Sequence, residues 1–451
     1  MKSGAHNTPR AVVLSMLINI NEEGAYCHLC LRQTMKKVDH WPGRDKRLIK
    51  RLVEGTVSRR LQLDHIIDCH AHTPVSKMKP PVRNILRMSV YQIIFMDQVP
   101  DRAACDEAVK LAKQRGFMPL AAFINAILRN IIRNKETLLA QMEQAQDTEA
   151  LSLKYSMPQW IIDLWLLDYA AKDLTVMLGA LLNIRPLTVR LAASLSKKEV
   201  GEWLSAIQQE GHTVHPHPLL DYAHELTKCD KIVDLPGYGQ GLFAVQDVAS
   251  MLAVEAAGIA KGDVVLDVCA APGGKALHAA ERAKTVMARD RNEKKCDIIR
   301  ENAARLGHGN VEICAHDATV FDPSVVDVAD VLIADLPCSG LGTLHKRPDL
   351  KYRLTPAVLE DICALQRRIL EVVWRYVRPG GILLYSTCTI NRAENADMMQ
   401  WFVEHHPFEY APFPREVPFL AMQNENNAQL QLLPGIHPCE GMYICRLRRR
   451  I

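Results

Sequence analysis

Apolar residues recur at three- and four-residue spacing over Ala11–Ile20, Leu48–Val57, Val82–Met96, Ala104–Leu111 and Leu120–Ile132, the pattern of helices that each bury one face. Between these stretches stand Pro42-Gly43, Pro80-Pro81, Pro100-Asp101 and Gly116, which stop helices by removing an N–H or by freeing φ. Residues 1–140 therefore read as an all-helical domain, and the polar run 140–155 as its boundary. From 156 to 245 the pattern is mixed. Helices are expected over Gln159–Leu182 and Lys197–Glu210, strands over Leu187–Leu191 and Gly241–Val245, and a turn at Pro236-Gly237-Tyr238-Gly239. This is a small α+β linking domain.

After Gln246 short apolar runs alternate with helical ones. Strands are predicted at Val264–Val268, Thr285–Ala288, Val311–Cys314, Val331–Asp335 and Ile382–Ser386. Helices are predicted at Lys275–Ala283, at Glu293–Leu306 with Asn292 as N-cap and Gly307 as stop, and at Asp361–Val377 before Pro379-Gly380-Gly381. Wholly apolar strands alternating with helices predict a parallel sheet covered on both faces, so residues 246–451 form an α/β domain.

The length of 451 residues agrees with more than one domain. Charge separates them. Residues 1–135 hold 23 Lys and Arg against 11 Asp and Glu, a net +12, and the remainder holds 32 against 40, a net −8. A basic helical domain on a mildly acidic body suggests a module for a polyanion, although a solvated basic surface would look the same. The 13 cysteines are scattered and odd in number, which argues for reduced thiols rather than a disulfide framework. Cys27 and Cys30 form a CxxC, and Cys69 with His72 repeats the spacing, but both pairs lie in helical stretches without knuckle glycines. They read as core cysteines, and no metal is expected. No apolar run approaches membrane-spanning length, and Met1-Lys2-Ser3-Gly4-Ala5-His6 has no apolar leader core, so the expected location is the cytoplasm.

Three chemically loaded segments follow predicted strands, and ligands of open α/β sheets bind at that edge. The first is Cys269-Ala270-Ala271-Pro272-Gly273-Gly274-Lys275. Small residues there let backbone approach a ligand closely. Asp290 ends the next strand, 16 residues after Gly274, and suits a carboxylate that accepts from ribose hydroxyls. The absence of G-x-G-x-x-G favours an adenosyl cofactor over a nicotinamide dinucleotide, with a purely structural turn as the bland alternative. The second segment is Asp335-Leu336-Pro337-Cys338-Ser339-Gly340-Leu341-Gly342, and the third is Tyr385-Ser386-Thr387-Cys388-Thr389. Two cysteines beyond two sheet strands can face one crevice, because neighbouring strands lie only about 4.8 Å apart.

CAAPGGK at 269–275, DLPCSGLG at 335–342 and YSTCT at 385–389 resemble, in order and spacing, the signature motifs of the RNA (cytosine-5)-methyltransferases of the Sun/Fmu type. Gln246-Asp247, Ser250, Arg347-Pro348-Asp349 and Gln366 fit as well. The helical domain resembles the NusB-like RNA-binding domain of the bacterial ribosomal RNA members. The resemblance implies an α/β class I (Rossmann-like) methyltransferase domain with a seven-stranded sheet, preceded by the all-α NusB-like domain and the linking domain. Met442–Leu447 would lie in its final hairpin.

The resemblance further implies S-adenosylmethionine across Cys269, Ala270, Ala271, Pro272, Gly273, Gly274 and Lys275, with Asp290 on the ribose and Asp317 on the adenine amino group. Asp335 would line the junction of cofactor and base and hydrogen-bond or protonate N3. Cys388 would be the nucleophile that adds to C6 of cytosine, and Cys338 would assist product release. In DNA cytosine-5 methyltransferases the Pro-Cys cysteine is the nucleophile, which makes Cys338 the rival. The implied substrate is small-subunit ribosomal RNA, handled by a monomer without metal or membrane. Transfer RNA as substrate, or a non-catalytic RNA-binding assembly factor, are the competing readings. Lys346, Arg347, Lys351 and Arg353 could hold phosphates near the site or merely be solvated. Three positions depart from the family pattern: Leu336, Ala192 two residues after Arg190, and Cys439-Glu440.

Overall fold

The computed structural model describes residues 8–144, 147–183, 185–227, 229, 231–421 and 428–451, without the side chains of 141–144. The amino-terminal hexapeptide read against a leader, and part of the 140–155 boundary, lie outside the described residues. The chain divides into two compact units, one of residues up to Asn183 together with Leu344–Arg353, the other of the remainder. The helices expected in the 156–245 segment before Asn183 fall in the first unit and its strands in the second.

Ten α-helices between Pro9 and Leu182 build the first unit among the described residues. Proline opens two of them, at Pro9, where Thr8 Oγ1 accepts from Ala11 N at 3.3 Å, and at Pro80. Pro80–Phe95 runs through the middle of the core and is buried almost all round. Its polar residues are therefore paired. Arg87 Nε and Nη2 donate to the Asp64 carboxylate at 2.6 and 2.8 Å, Asn84 Nδ2 donates to Glu22 Oε1 at 2.8 Å, and Gln92 Oε1 accepts from Arg10 Nε at 2.8 Å. Losing one partner of such a charge-assisted hydrogen bond costs about 1–3 kcal/mol. The continuous helix expected over Gln159–Leu182 is two, Gln159–Leu166 and Ala171–Leu182, and the first ends in a tightened turn in which Leu167 N and Asp168 N donate three residues back, to Leu164 O and Trp165 O at 3.3 and 3.1 Å.

Lys351 and Arg353 turn their donors to backbone carbonyls of the protein. Lys351 is 2% exposed and its Nζ donates to Ser58 O at 2.8 Å, while Arg353 Nη1 donates to Gly24 O at 2.9 Å. Burial, with Arg59 and Arg60 nearby, holds the Lys351 ammonium well below the usual lysine range. Cys27 is buried and Cys30 half-buried on helix Cys27–Lys37, and Cys69 is exposed with its Sγ 3.7 Å from His65 Nε2.

The second unit carries two sheets. Strands β1 (Leu187–Leu191), β2 (Thr213–Pro216), β3 (Ala223–Thr227) and β4 (Phe243–Val245) form an antiparallel sheet in the order β2-β3-β1-β4. Helix Lys197–Gln209 starts from a Ser196/Glu199 capping box and packs Trp203 and Ile207 on Val189, Leu226 and Phe243. The main sheet comprises β5 (Val264–Asp267), β6 (Thr285–Asp290), β7 (Val311–Ala315), β8 (Ala329–Asp335), β9 (Val377–Thr387), β10 (Phe408–Tyr410), β11 (Gln429–Leu432) and β12 (Met442–Arg449). Its order is β10-β12-β9-β8-β5-β6-β7, with β11 added to β12. The five strands from β7 to β9 are parallel and β12 is antiparallel to β9.

Among the described residues eight strands stand where the family resemblance implied seven, because β11 joins the hairpin that contains Met442–Leu447. The Pro379-Gly380-Gly381 stop lies inside β9, where Gly380 at φ +77° and a register shift at Ala329/Val331 absorb it. Asn292 occupies the N-cap position of helix Glu293–Leu306 without a side-chain capping bond, whereas Gly307 ends that helix at φ +75° as expected. Apolar side chains of β5, β6, β8 and β9 pack beneath helices Val248–Ala257 and Gly274–Ala280 on one face and Pro356–Val373 and Ala396–His405 on the other. No described helix is long and apolar enough to cross a membrane.

Two helical glycines test this packing in opposite directions. A Cβ on Gly55 would meet the Tyr91 ring at 2.0 Å, while one on Gly201 meets nothing within 4 Å. Gly55→Ala is expected to destabilise by about 1–3 kcal/mol, and Gly201→Ala to stabilise by about 0.5–1 kcal/mol. Thermal melts of both variants check the contrast, and equal shifts would contradict it.

Candidate active site

The first loop leaves β5 at Asp267 and enters helix Gly274–Ala280. Gly273 sits at φ +107°, a conformation that L side chains rarely adopt, so glycine is needed at this turn. The Ala271–Pro272 peptide is cis. Ala270 N donates to Arg289 O at 2.8 Å and fixes the loop to β6. Asp267 is 1% exposed and accepts from Cys269 N at 3.2 Å. Burial first, then the neighbouring Asp335, pushes its carboxyl up to about 8. Burial, with Asp267 and Asp335, likewise pushes the Cys269 thiol up.

Four carboxylates line the carboxyl edge of the consecutive strands β8, β5, β6 and β7. Asp335 ends β8, Asp267 ends β5, Asp290 ends β6, and Asp317 follows β7 by two residues. Lys275 is buried, and its Nζ lies 2.8 Å from Asp335 Oδ2. The other oxygen of Asp335 accepts from Ser386 Oγ at 2.8 Å. Lys275 is thus committed to the first carboxylate of the row, Asp335, rather than pointing out of the loop. Asp290 Oδ1 accepts from Asn292 N at 3.1 Å, with Lys295 Nζ at 3.8 Å. Asp317 Oδ1 accepts from Thr319 N and Oγ1 at 2.9 and 2.7 Å, and these bonds hold its carboxyl below the usual range. The row offers acceptors to a ligand that carries hydroxyl and amino donors and positive charge.

The second and third loops leave β8 and β9 side by side. Asp335 pairs in register with Ser386, and beyond them Cys338 Sγ and Cys388 Sγ come within 3.2 Å. The contact with Cys388, and burial, push the Cys338 thiol well up, so it is protonated at neutral pH. Gly342 N donates to Cys388 O at 3.0 Å and ties one loop to the other. A Cβ on Gly342 would lie 2.1 Å from Gly441 O, so that position also needs glycine.

Behind the thiols lies a buried polar cluster. Glu394, with no exposed surface, accepts from Ser339 N at 2.8 Å, Ser339 Oγ at 2.5 Å and Asn391 Nδ2 at 3.1 Å. Ser339 Oγ is 2.8 Å from Thr389 Oγ1, and Gln366 Nε2 donates to Pro337 O at 3.0 Å. Burial pushes the Glu394 carboxyl up, opposed by hydrogen bonds from Ser339, Asn391 and Thr389.

The structure thus brings Cys338, Cys388, Asp335 and Lys275 together, and places Asp290 and Asp317 along the same edge. Sequence reasoning passed over Glu394 and the bond of Ser386 to Asp335. Glu394 follows β9 by seven residues within a polar run, and nothing local marks it. Arg190 is buried, with Nε donating to Gln246 Oε1 at 2.8 Å and its other end paired with Glu281. Leu336 is 3% exposed and packs in the core. Glu440 N donates to Asp247 Oδ1 at 3.2 Å.

Residues 256–448 match the family model described as 16S rRNA methyltransferase RsmB/F, and residues 7–133 match the NusB family. The chain is 31% identical over 448 residues to the "Probable ribosomal RNA small subunit methyltransferase B" of Bacillus subtilis, covering 98% of both chains. It is 32% identical over 451 residues to the protein of the same name from Synechocystis, covering 98% of this chain and 99% of that one. A solved structure designated PH0851 superposes with a TM-score of 0.78 at 22% identity, over 98% of this chain and 99% of that one. A methyltransferase homologue from Pyrococcus horikoshii does so with a TM-score of 0.57 at 24% identity, over 68% of this chain and 99% of that one. At these identities the two structures share the fold.

Asp267 predicts a pH dependence. Its folded carboxyl titrates near 8 and its unfolded one near about 3.9, so the folded form holds the extra proton and loses stability as pH rises between those values. Asp267→Asn removes that loss. Its melting temperature relative to wild type is expected to climb by several degrees between about pH 5 and about pH 8 and then level off. A difference that does not change with pH would contradict the assignment.

Proposed function

The chain belongs to the RsmB/F family of 16S rRNA methyltransferases, and from that premise we propose that it methylates C5 of a specific cytosine in small-subunit ribosomal RNA through a covalent adduct of cysteine with C6. The observation that carries this reading is the 3.2 Å approach of Cys338 Sγ to Cys388 Sγ beside Asp335.

Cytosine C5 is a weak nucleophile. Adding a thiolate to C6 turns C5 into an enamine-like carbon that can attack an electrophile. Cys388 is the nucleophile in this reading. Cys338 keeps its proton in this setting, and the two sulfurs stand at hydrogen-bond distance. Cys388 is then the sulfur that gives its pair to C6. Asp335, held by Lys275 and Ser386, would accept a hydrogen bond from N3 of the base once N3 is protonated as charge develops on the ring. When C5 gives its proton to solvent water, the C5–H pair re-forms the C5–C6 double bond and the C6–S bond breaks, its pair staying on the Cys388 sulfur. Cys338 then hydrogen-bonds the departing Cys388 thiolate and assists release. Both faces of the base are used, so the target is unpaired or flipped out.

The acidic row fits S-adenosylmethionine, which carries ribose hydroxyls, an adenine amino group and positive charge. Cys269, Ala270, Ala271, Pro272, Gly273 and Gly274 would hold it along the first loop, with Lys275 anchoring Asp335. Asp290 would take the ribose, Asp317 the adenine amino group, and Asp335 the junction with the base. The bound cofactor supplies an electrophilic methyl group. The basic helical domain, net +12 over residues 1–135, would add salt-dependent affinity for the phosphates of RNA.

Tritiated S-adenosylmethionine and unmodified ribosomal RNA test the reading with wild type, Cys388→Ala and Cys338→Ala. Cys388→Ala is expected to lose methyl incorporation by more than about a thousandfold and to form no covalent protein–RNA adduct. Cys338→Ala is expected to accumulate the adduct. Full turnover by Cys388→Ala would exclude it as the nucleophile, and adduct loss in Cys338→Ala would assign that role to Cys338.

A further inference from the structure

Each thiol-bearing loop is followed at once by a hydroxyl residue, Ser339 after Cys338 and Thr389 after Cys388. The two hydroxyls are 2.8 Å apart, and both converge on the carboxylate of Glu394. Glu394 also accepts from the Ser339 backbone N–H at 2.8 Å and lies 3.4 Å from Gln366 Nε2, which holds Pro337 O at 3.0 Å from the other side. Its own carbonyl accepts from Tyr385 OH at 2.6 Å, from the strand that leads into Cys388. One buried side chain therefore receives bonds from the Cys338 loop, from the Cys388 loop, and from helix Pro356–Val373 behind them.

We propose that Glu394 is a positioning residue that clamps the two loops through Ser339 and Thr389, and so sets the spacing of the Cys338 and Cys388 thiols and which of the two keeps its proton. This inference rests on the two-thiol reading above. Ser339 N, Asn391 Nδ2 and Gln366 Nε2 can only donate, so the pocket is built for an ionised, acceptor-only carboxylate. A fixed negative charge behind Cys338 disfavours its thiolate, and Glu394 acts on Cys338 in that direction, added to the effects of Cys388 and burial. The clamp thereby keeps Cys338 as the proton holder and leaves the nucleophile's part to Cys388. Nothing in Glu394 touches the crevice itself; it acts through its neighbours.

Glu394→Gln keeps the volume but replaces one acceptor with a donor that must face Ser339 or its neighbours, and it removes the charge. Two readouts are taken on the full chain. The first is alkylation of Cys338 and Cys388 by iodoacetamide across pH, followed by peptide mass spectrometry, which needs no RNA. The second is steady-state methyl transfer. In Glu394→Gln the alkylation midpoint of Cys338 is expected to fall by about one pH unit. The kcat is expected to fall at least about tenfold, with KM for RNA and for S-adenosylmethionine within about twofold of wild type. An unmoved Cys338 midpoint in a variant that melts like wild type overturns the proposal. So does a change confined to KM.

If wild type transfers no methyl group, the functional reading fails, while the alkylation profile still decides the clamp. If Glu394→Gln does not fold, Ser339→Ala keeps the backbone N–H bond and removes only the hydroxyl link. It is then expected to lower kcat about threefold to tenfold without changing KM, and an unchanged kcat overturns the proposal.

Discussion

Everything at the candidate site depends on the register between two neighbouring parallel strands. With Asp335 opposite Ser386, the two chains leave the sheet at the same height, and the cysteines that follow within three residues meet at 3.2 Å. A slip of one residue would turn every side chain of one strand to the opposite face and part the thiols. The register is fixed from both sides. Val331, Ile333, Ile382 and Leu384 pack into the core on one face, and Leu332, Ala334, Leu383 and Tyr385 into the core on the other. A continuous apolar strand is thus a positional device here as well as a source of stability.

The loops beyond those strands carry more polar atoms than an irregular segment can safely bury, and the structure answers with close pairing. Glycine at 342 lets the second loop lie against the Gly441 backbone, and its N–H meets Cys388 O. Glu394 gathers the donors beneath the thiols. Lys275 answers Asp335, which itself stands beside the buried Asp267. Unpaired carboxylates so close together would repel one another in a medium poor in water. The row is tolerable because one lysine and several backbone N–H groups lie among its members, and it leaves acceptors directed to the strand edge.

Much of this was legible in the sequence, and what was not has identifiable causes. The parallel strands were visible because both of their faces are buried, which leaves unbroken apolar runs such as Val264-Val265-Leu266. The three loops were visible because glycine, proline, aspartate and cysteine stand immediately after those runs. Strands β2, β3, β10 and β11 escaped because they are short and half-buried or lie at sheet edges, where polar and apolar residues mix. The Pro-Gly-Gly inside β9 read as a stop, since nothing local announces a bulge. Lys351 and Arg353 read as surface charge because the segment that holds them packs with helices some 300 residues earlier in the chain. Glu394 escaped for the same reason: its role exists only once two loops about fifty residues apart are brought together.

In the proposed reaction the methyl group goes to C5 of a cytosine, which must lose its hydrogen in the process. Ribosomal RNA transcribed with cytidine tritiated at C5 tests this directly when methyl incorporation from S-adenosylmethionine is counted alongside tritium released to water. One tritium is expected to be released for each methyl group gained, with both abolished in Cys388→Ala. Methyl incorporation without tritium release would place the new group on a nitrogen or an oxygen, and would contradict the two-thiol mechanism at its root.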